Sequence, residues 1–160
     1  MEKDPALRQE QEESQESNRR SLGLNLEALG VVEISRLCSA LNWEASQRAD
    51  ESGCDDLLDM FQSGVIRLAT EHPVRGRDVL LALKNDEDPR NREMAAHCSP
   101  SVLVLGYEFV RDILLDLARD QGLNQVAESA MMALSDLEAS LPPDQAADIQ
   151  ARYQVIAEQI

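Results

Sequence analysis

Apolar residues along this chain recur three and four positions apart, the spacing of one buried helix face rather than the alternation of a strand. Leu26, Leu29, Ile34, Leu37, Cys38 and Leu41 predict a helix over 25–41. The polar stretch from Asn42 to Gly53 interrupts it, with Trp43 placed to anchor a short turn. Leu57, Leu58, Phe61, Val65, Leu68 and Ala69 then form the stripe of a helix over 55–70, opened by Ser52 and Asp55 at capping-box spacing. Asp55 and Asp56 fall in its first turn, where the helix dipole favours a carboxylate by about 0.3–1 kcal/mol. They need no catalytic explanation.

Pro73 suits the first turn of the next helix, which buries Val79, Leu80 and Leu83. Asp88 and Pro89 read as cap and first residue of another, and Pro100 must end it. The run Ser101 to Leu105 is partly β-branched but short and without a second strand to pair with, so it reads as a connector or helix start. Phe109, Val110, Ile113, Leu114, Leu117 and Ala118 make the clearest stripe, with Gly122 as its C-terminal cap. Asn124 caps a helix carrying Val126, Ala130, Met131, Leu134 and Leu137. Pro142-Pro143 breaks it, and a last helix places Ala146, Ile149, Tyr153, Ile156 and Ile160 on one side.

Two of these helix–turn–helix units superpose, the first helices at an offset of 34 residues and the second at 35. A fixed period of this size marks stacked helical repeats. The stretch Asp88-Pro89-x-x-Arg92-Glu93-x-Ala95-Ala96, after a Leu-rich helix and a short acidic turn, resembles the second half of a HEAT-type repeat. That resemblance covers residues 74–139. It implies an α-solenoid in which the Asp-Pro turn introduces the second helix, Arg92 bonds between neighbouring repeats, small residues allow close packing, and the concave face binds other proteins. The second unit departs from the pattern: Ala127 stands at the position of Arg92, Leu123-Asn124 replaces Asp-Pro, and Asn91 of the first unit stands where the second has Val126.

The expected fold is all-α, a short α-solenoid of antiparallel helix pairs, with an irregular helical bundle obeying the same packing rules as the alternative. Residues 22–160 make one helical domain. Residues 1–21 have only Ala6 and Leu7 as apolar residues after Met1. Such a segment cannot offset an ordering entropy of about 1–2 kcal/mol per residue and reads as a disordered acidic tail.

Hydrophobic residues make up 43% of the 160, but aromatics only 3%. Aliphatic side chains must build the core, which suits close helix packing. The net charge of −15 is uneven: residues 61–100 balance six acids with six bases, 21–60 carry eight acids against two bases, and 101–160 carry ten against three. A field of this sign repels phosphate backbones and anionic lipid, so nucleic acid and membrane surfaces are discounted and a basic protein partner is expected. Cys38, Cys54 and Cys98 are an odd number with no close pair, which argues against a disulfide framework or a zinc site. With no cationic leader and no run of 18 apolar residues, the chain reads as cytoplasmic.

No candidate chemistry rises far. The glycines form no phosphate-binding loop. Glu93 lies one turn before His97, the spacing of two metal ligands, but no second pair of this kind occurs and His72 precedes Pro73 in a loop. Cys54 sits in a first helical turn, where the dipole and two neighbouring aspartates oppose each other; Cys38 and Cys98 fit apolar faces as core residues. Asp86-Glu87-Asp88 lacks the alternation and glycine of a calcium loop and reads as a polar turn between helices. Tyr107 and Tyr153, with Met131 or Met132, either line a groove for a partner helix or fill the core.

No catalytic, cofactor-binding or metal residue is assigned, and no cofactor is expected. The function expected is a non-catalytic protein-interaction module or adaptor that presents an acidic helical-repeat surface to a basic partner. One alternative is an immunity or antitoxin protein neutralising a basic toxin or nuclease. Another is a small helical metal-binding enzyme using Glu93 and His97.

Overall fold

The computed structural model describes residues 24–47, 54–122 and 124–159; the expected tail over 1–21 and the cap at Ser52 lie outside them. The described residues form seven α-helices and no strand. These are α1 (Val31–Gln47), α2 (Cys54–Glu71), α3 (Pro73–Lys84), α4 (Pro89–Cys98), α5 (Tyr107–Ala118), α6 (Asn124–Ser140) and α7 (Pro143–Gln159). Two 3-10 turns, Ser99–Ser101 and Leu103–Leu105, link α4 to α5. The described part of the chain is all-helical, and the run Ser101 to Leu105 is a connector.

Several helix ends form where local chemistry puts them. The Asp88 carboxylate accepts the Arg90 N–H at 3.0 Å, with Pro89 as first residue of α4. Pro73 opens α3, Pro100 follows the end of α4, and the Pro142-Pro143 pair separates α6 from α7. The α3 and α5 helices begin 34 residues apart, and α4 and α6 begin 35 apart.

Other ends differ from expectation. The helix predicted over 25–41 starts only at Val31, because Leu26–Leu29 closes a turn of its own: Leu29 N–H donates to the Leu26 carbonyl (3.1 Å) and Glu27 N–H to Asn25 Oδ1 (3.2 Å). It then runs through Asn42 instead of breaking there, since the Asn42 amide donates back to the Cys38 carbonyl at 3.0 Å, one turn earlier. Trp43 is 63% exposed and anchors no turn. At the other end, α5 stops at Ala118, four residues short of Gly122. Asp120 Oδ1 accepts the Gly122 N–H (2.8 Å) and turns the chain after the helix has ended. Asn124 is a helical residue of α6 rather than a cap outside it. Gly106, at φ 112°, is where the backbone does need a glycine, at the entry to α5.

Helices α1 to α4 pack on one another, α1 crossing α2, α3 and α4. The α5–α6 hairpin lies beside them with α6 along α4, and α7 closes over α6 and α5. The 3-10 turn Leu103–Leu105 fills in against α2 and α3. Phe61, Ile34, Leu80, Leu83, Leu114, Leu134 and Ile149 are fully buried in one continuous core. Each such aliphatic or aromatic side chain contributes about 1.5–3 kcal/mol relative to exposure. Asn91, which stands where the second unit has Val126, is also buried: its amide donates to the Ser35 carbonyl (3.0 Å) and Ser39 Oγ (2.9 Å), fastening α4 to α1.

Candidate functional site

The Asp86–Asp88 segment is a structural turn. Asp86 Oδ1 accepts the Asp88 N–H at 2.8 Å, and Arg92 Nη1 donates to the carbonyls of Asp86 (2.8 Å) and Glu87 (3.0 Å). The same guanidinium reaches the next hairpin, with Nε 2.7 Å from Asp120 Oδ2 and Nη2 3.4 Å from Oδ1. Gly122 leaves room for it: a Cβ there would stand 2.6 Å from Arg92 Nη2.

Glu93 and His97 do meet, Oε1 to Nε2 at 3.2 Å, on the wall of a 440 Å³ cleft that Asn42, Asp59, Gln62 and Arg90 also line. No third donor lies close enough to complete an ion site around this pair among the described residues. Ser129 Oγ donates to Glu93 Oε1 at 3.3 Å. The carboxylate therefore stands between hydroxyl and imidazole, whereas a hydroxyl nucleophile needs the imidazole in the middle. His72 lies elsewhere, 3.0 Å from Glu27 Oε1. Cys38 and Cys98 are buried core residues; burial pushes the Cys38 thiol up to about 12 and raises that of Cys98 as well. Neither is a nucleophile at neutral pH.

A network of ion pairs lies on α5 to α7. The basic residues of these helices are Arg111 and Arg152, Arg119 follows the end of α5, and all three face carboxylates of the same three helices. Arg111 bonds Asp112 Oδ1 (2.9 Å) and Asp148 Oδ2 (3.0 Å), and Arg152 bonds Asp148 Oδ1 (2.9 Å). The Tyr107 hydroxyl donates to Asp148 Oδ2 at 2.8 Å. The hydrogen bonds from Arg152, Tyr107 and Arg111 hold the Asp148 carboxyl at about 2, below the usual carboxylate range. Burial, and then the bond to Asp148, raise the Tyr107 phenol. For Arg111, burial opposes the charge, but the bonds to Asp112 and Asp148 outweigh it and raise its pKa.

Glu108, Glu128, Asp136, Asp144 and Glu158 are exposed on these helices, so the excess of acid faces outward. Glu128 lines a 650 Å³ groove whose apolar wall is Ala118, Ala127, Met131 and Ile156 and whose other charged residues are Arg119 and Asp120. Of the groove residues expected from the sequence, Met131 is here, Met132 is 69% exposed on the outside of α6, Tyr153 packs against the core, and Tyr107 is engaged with Asp148. The bond between Tyr107 and Asp148 spans 41 positions and has no local sequence signal.

No described helix is long and apolar enough to cross a membrane. Compared with protein-family models, with curated proteins and with solved structures, the chain matches none.

Proposed function

We propose that this chain is a non-catalytic protein-interaction module, a short HEAT-like α-solenoid whose acidic C-terminal helices receive a basic partner. The observation that carries the reading is that Arg111, Arg119 and Arg152 all pair with carboxylates of α5–α7, which leaves Glu108, Glu128, Asp136, Asp144 and Glu158 exposed on these helices, Glu128 among them lining the apolar-walled groove. A basic amphipathic segment matches both parts: apolar side chains for the Met131–Ile156 wall and cations for Glu128 and its neighbours. The repeat architecture is supported by the 34- and 35-residue helix offsets and by the reach of Arg92 from its own turn to Asp120 in the next.

Affinity capture with the full chain from its native cell, at low and at about 0.5 M salt, tests the reading by what it recovers and when. The expected result is a partner of net positive charge, lost at high salt, whose association rate falls by about 10- to 1,000-fold as salt rises. Combined Glu128→Gln, Asp136→Asn and Asp144→Asn substitution should slow that association while leaving the fold intact. A partner bound equally well by the triple variant and at high salt refutes the acidic-face reading.

A further inference from the structure

Two chain segments meet at the elbow between α2 and α3. Glu71 ends α2, His72 is the single residue before α3, and Glu27 reaches both from the turn preceding α1. His72 Nε2 stands 3.0 Å from Glu27 Oε1, and one ligand atom from each of the three residues lies within 4.8 Å of the other two. We infer that Glu27, Glu71 and His72 form a binding site for a divalent transition-metal ion of the Zn²⁺ type.

The donors are held on anchored backbone. Arg75 clamps the Glu27 turn by donating to the carbonyls of Glu27 (2.5 Å) and Leu29 (2.6 Å). Leu24 N–H bonds the Met60 carbonyl at 2.9 Å, and Leu26 is buried in the core. His72 is fixed by its own N–H, which donates to Leu68 at 2.7 Å, and by Pro73 after it. A tetrahedral ion with bonds of about 2.0–2.2 Å keeps its donors roughly 3.3–3.5 Å apart, so the set must close by at most about 1.5 Å. That is within the swing of two exposed glutamates.

One imidazole nitrogen with two carboxylate oxygens suits a borderline ion; Mg²⁺ and Ca²⁺ take all-oxygen shells. The carbonyl end of α2 adds its negative dipole at the same place. Arg67 competes for Glu71, Nε to Oε1 at 3.2 Å, but this pair is exposed and one turn apart. Displacing a pair of that kind sets binding back only about twofold. A bound ion would clip the Glu27 turn to the elbow between α2 and α3.

The test uses the full chain stripped of metal by chelation, titrated with Zn²⁺ by calorimetry, with Mg²⁺ as comparison and Co²⁺ as a spectroscopic probe. Expected are one Zn²⁺ per chain, a raised melting temperature, Co²⁺ visible bands, and no binding of Mg²⁺. His72→Ala and Glu27→Gln should each weaken Zn²⁺ by at least about tenfold while keeping the metal-free circular dichroism spectrum. His97→Ala and Cys54→Ser should leave affinity unchanged. The assignment is overturned by absence of Zn²⁺ binding up to about 1 mM, by binding that survives both elbow variants, or by binding lost in His97→Ala or Cys54→Ser. Should His72→Ala fail to fold, Glu27→Gln and the Co²⁺ spectrum decide.

Discussion

Arg92→Ala removes a side chain that joins the turn after α3 to the turn after α5. The guanidinium makes a two-pronged bond to Asp120 and two more to the carbonyls of Asp86 and Glu87. The two charged side chains are only 17% and 11% exposed, so solvent screens the pair weakly. Deleting one partner of a buried pair costs about 3–5 kcal/mol. Here Asp120 keeps the Gly122 N–H at 2.8 Å, which goes on stabilising its charge. The net loss should therefore be about 2–4 kcal/mol, or roughly 4–16 °C in melting temperature for a chain of this length. Arg92→Lys preserves the charge without the planar fork and should recover less than half of the loss. A double-mutant cycle with Asp120→Ala, read by urea denaturation, should give a coupling of at least about 1 kcal/mol. Coupling near zero, or a loss below about 1 kcal/mol for Arg92→Ala, would show that packing alone holds the two turns together.

Gly76→Ala places a methyl 2.7 Å from the Ala69 Cβ and against its backbone, so α2 and α3 must part; the denaturation midpoint should fall by the equivalent of about 1–3 kcal/mol. A rise would mean that alanine's better helix propensity outweighs the clash. The depressed Asp148 carboxyl contributes stability that is complete above its unfolded value of about 4 and disappears as pH falls toward about 2. Melting curves between those pH values should be flatter for Asp148→Asn than for the unsubstituted chain, and parallel curves would refute that assignment. In a Cys54→Ser background, Cys38 and Cys98 should react with a disulfide reagent only as fast as the protein opens, because burial holds both thiols protonated. Labelling within seconds in native buffer would contradict their placement in the core.

What the sequence disclosed depended on the range of the interaction. Proline positions, the Asp88 cap and the apolar stripes act within one or two helical turns, and they located α3, α4, α6 and α7 closely. Asn42 misled because its breaking tendency assumes a side chain competing with the helix, whereas its amide donates along the helix to Cys38. Gly122 misled for another reason: a glycine after an apolar stripe suggests a cap, but this one is small to admit Arg92 from a different hairpin. The elbow cluster was the least legible of all. His72 was visible as a loop residue, yet Glu27 lies 45 positions away and nothing local indicates their meeting.

Among the described residues the cations explain why the acidic surface is more polarised than composition suggests. Residues 61–100 balance six acids with six bases, but those bases mostly reach inward or across to neighbouring elements: Arg75 to the Glu27 turn, Arg77 to the Leu105 carbonyl, Lys84 to Asp116, Arg90 to the Asn42 carbonyl and Arg92 to Asp120. On α5–α7 the three arginines likewise face their own carboxylates. Among the described residues positive charge thus works mainly in holding helices together, and the carboxylates left on the outside there set the local field. Arginine substitutions should consequently be felt in stability, whereas, on the function proposed above, neutralising Glu128, Asp136 or Asp144 should act on association. The two groups of residues separate fold from binding by experiment, although both were drawn from one undifferentiated excess of charge in the sequence.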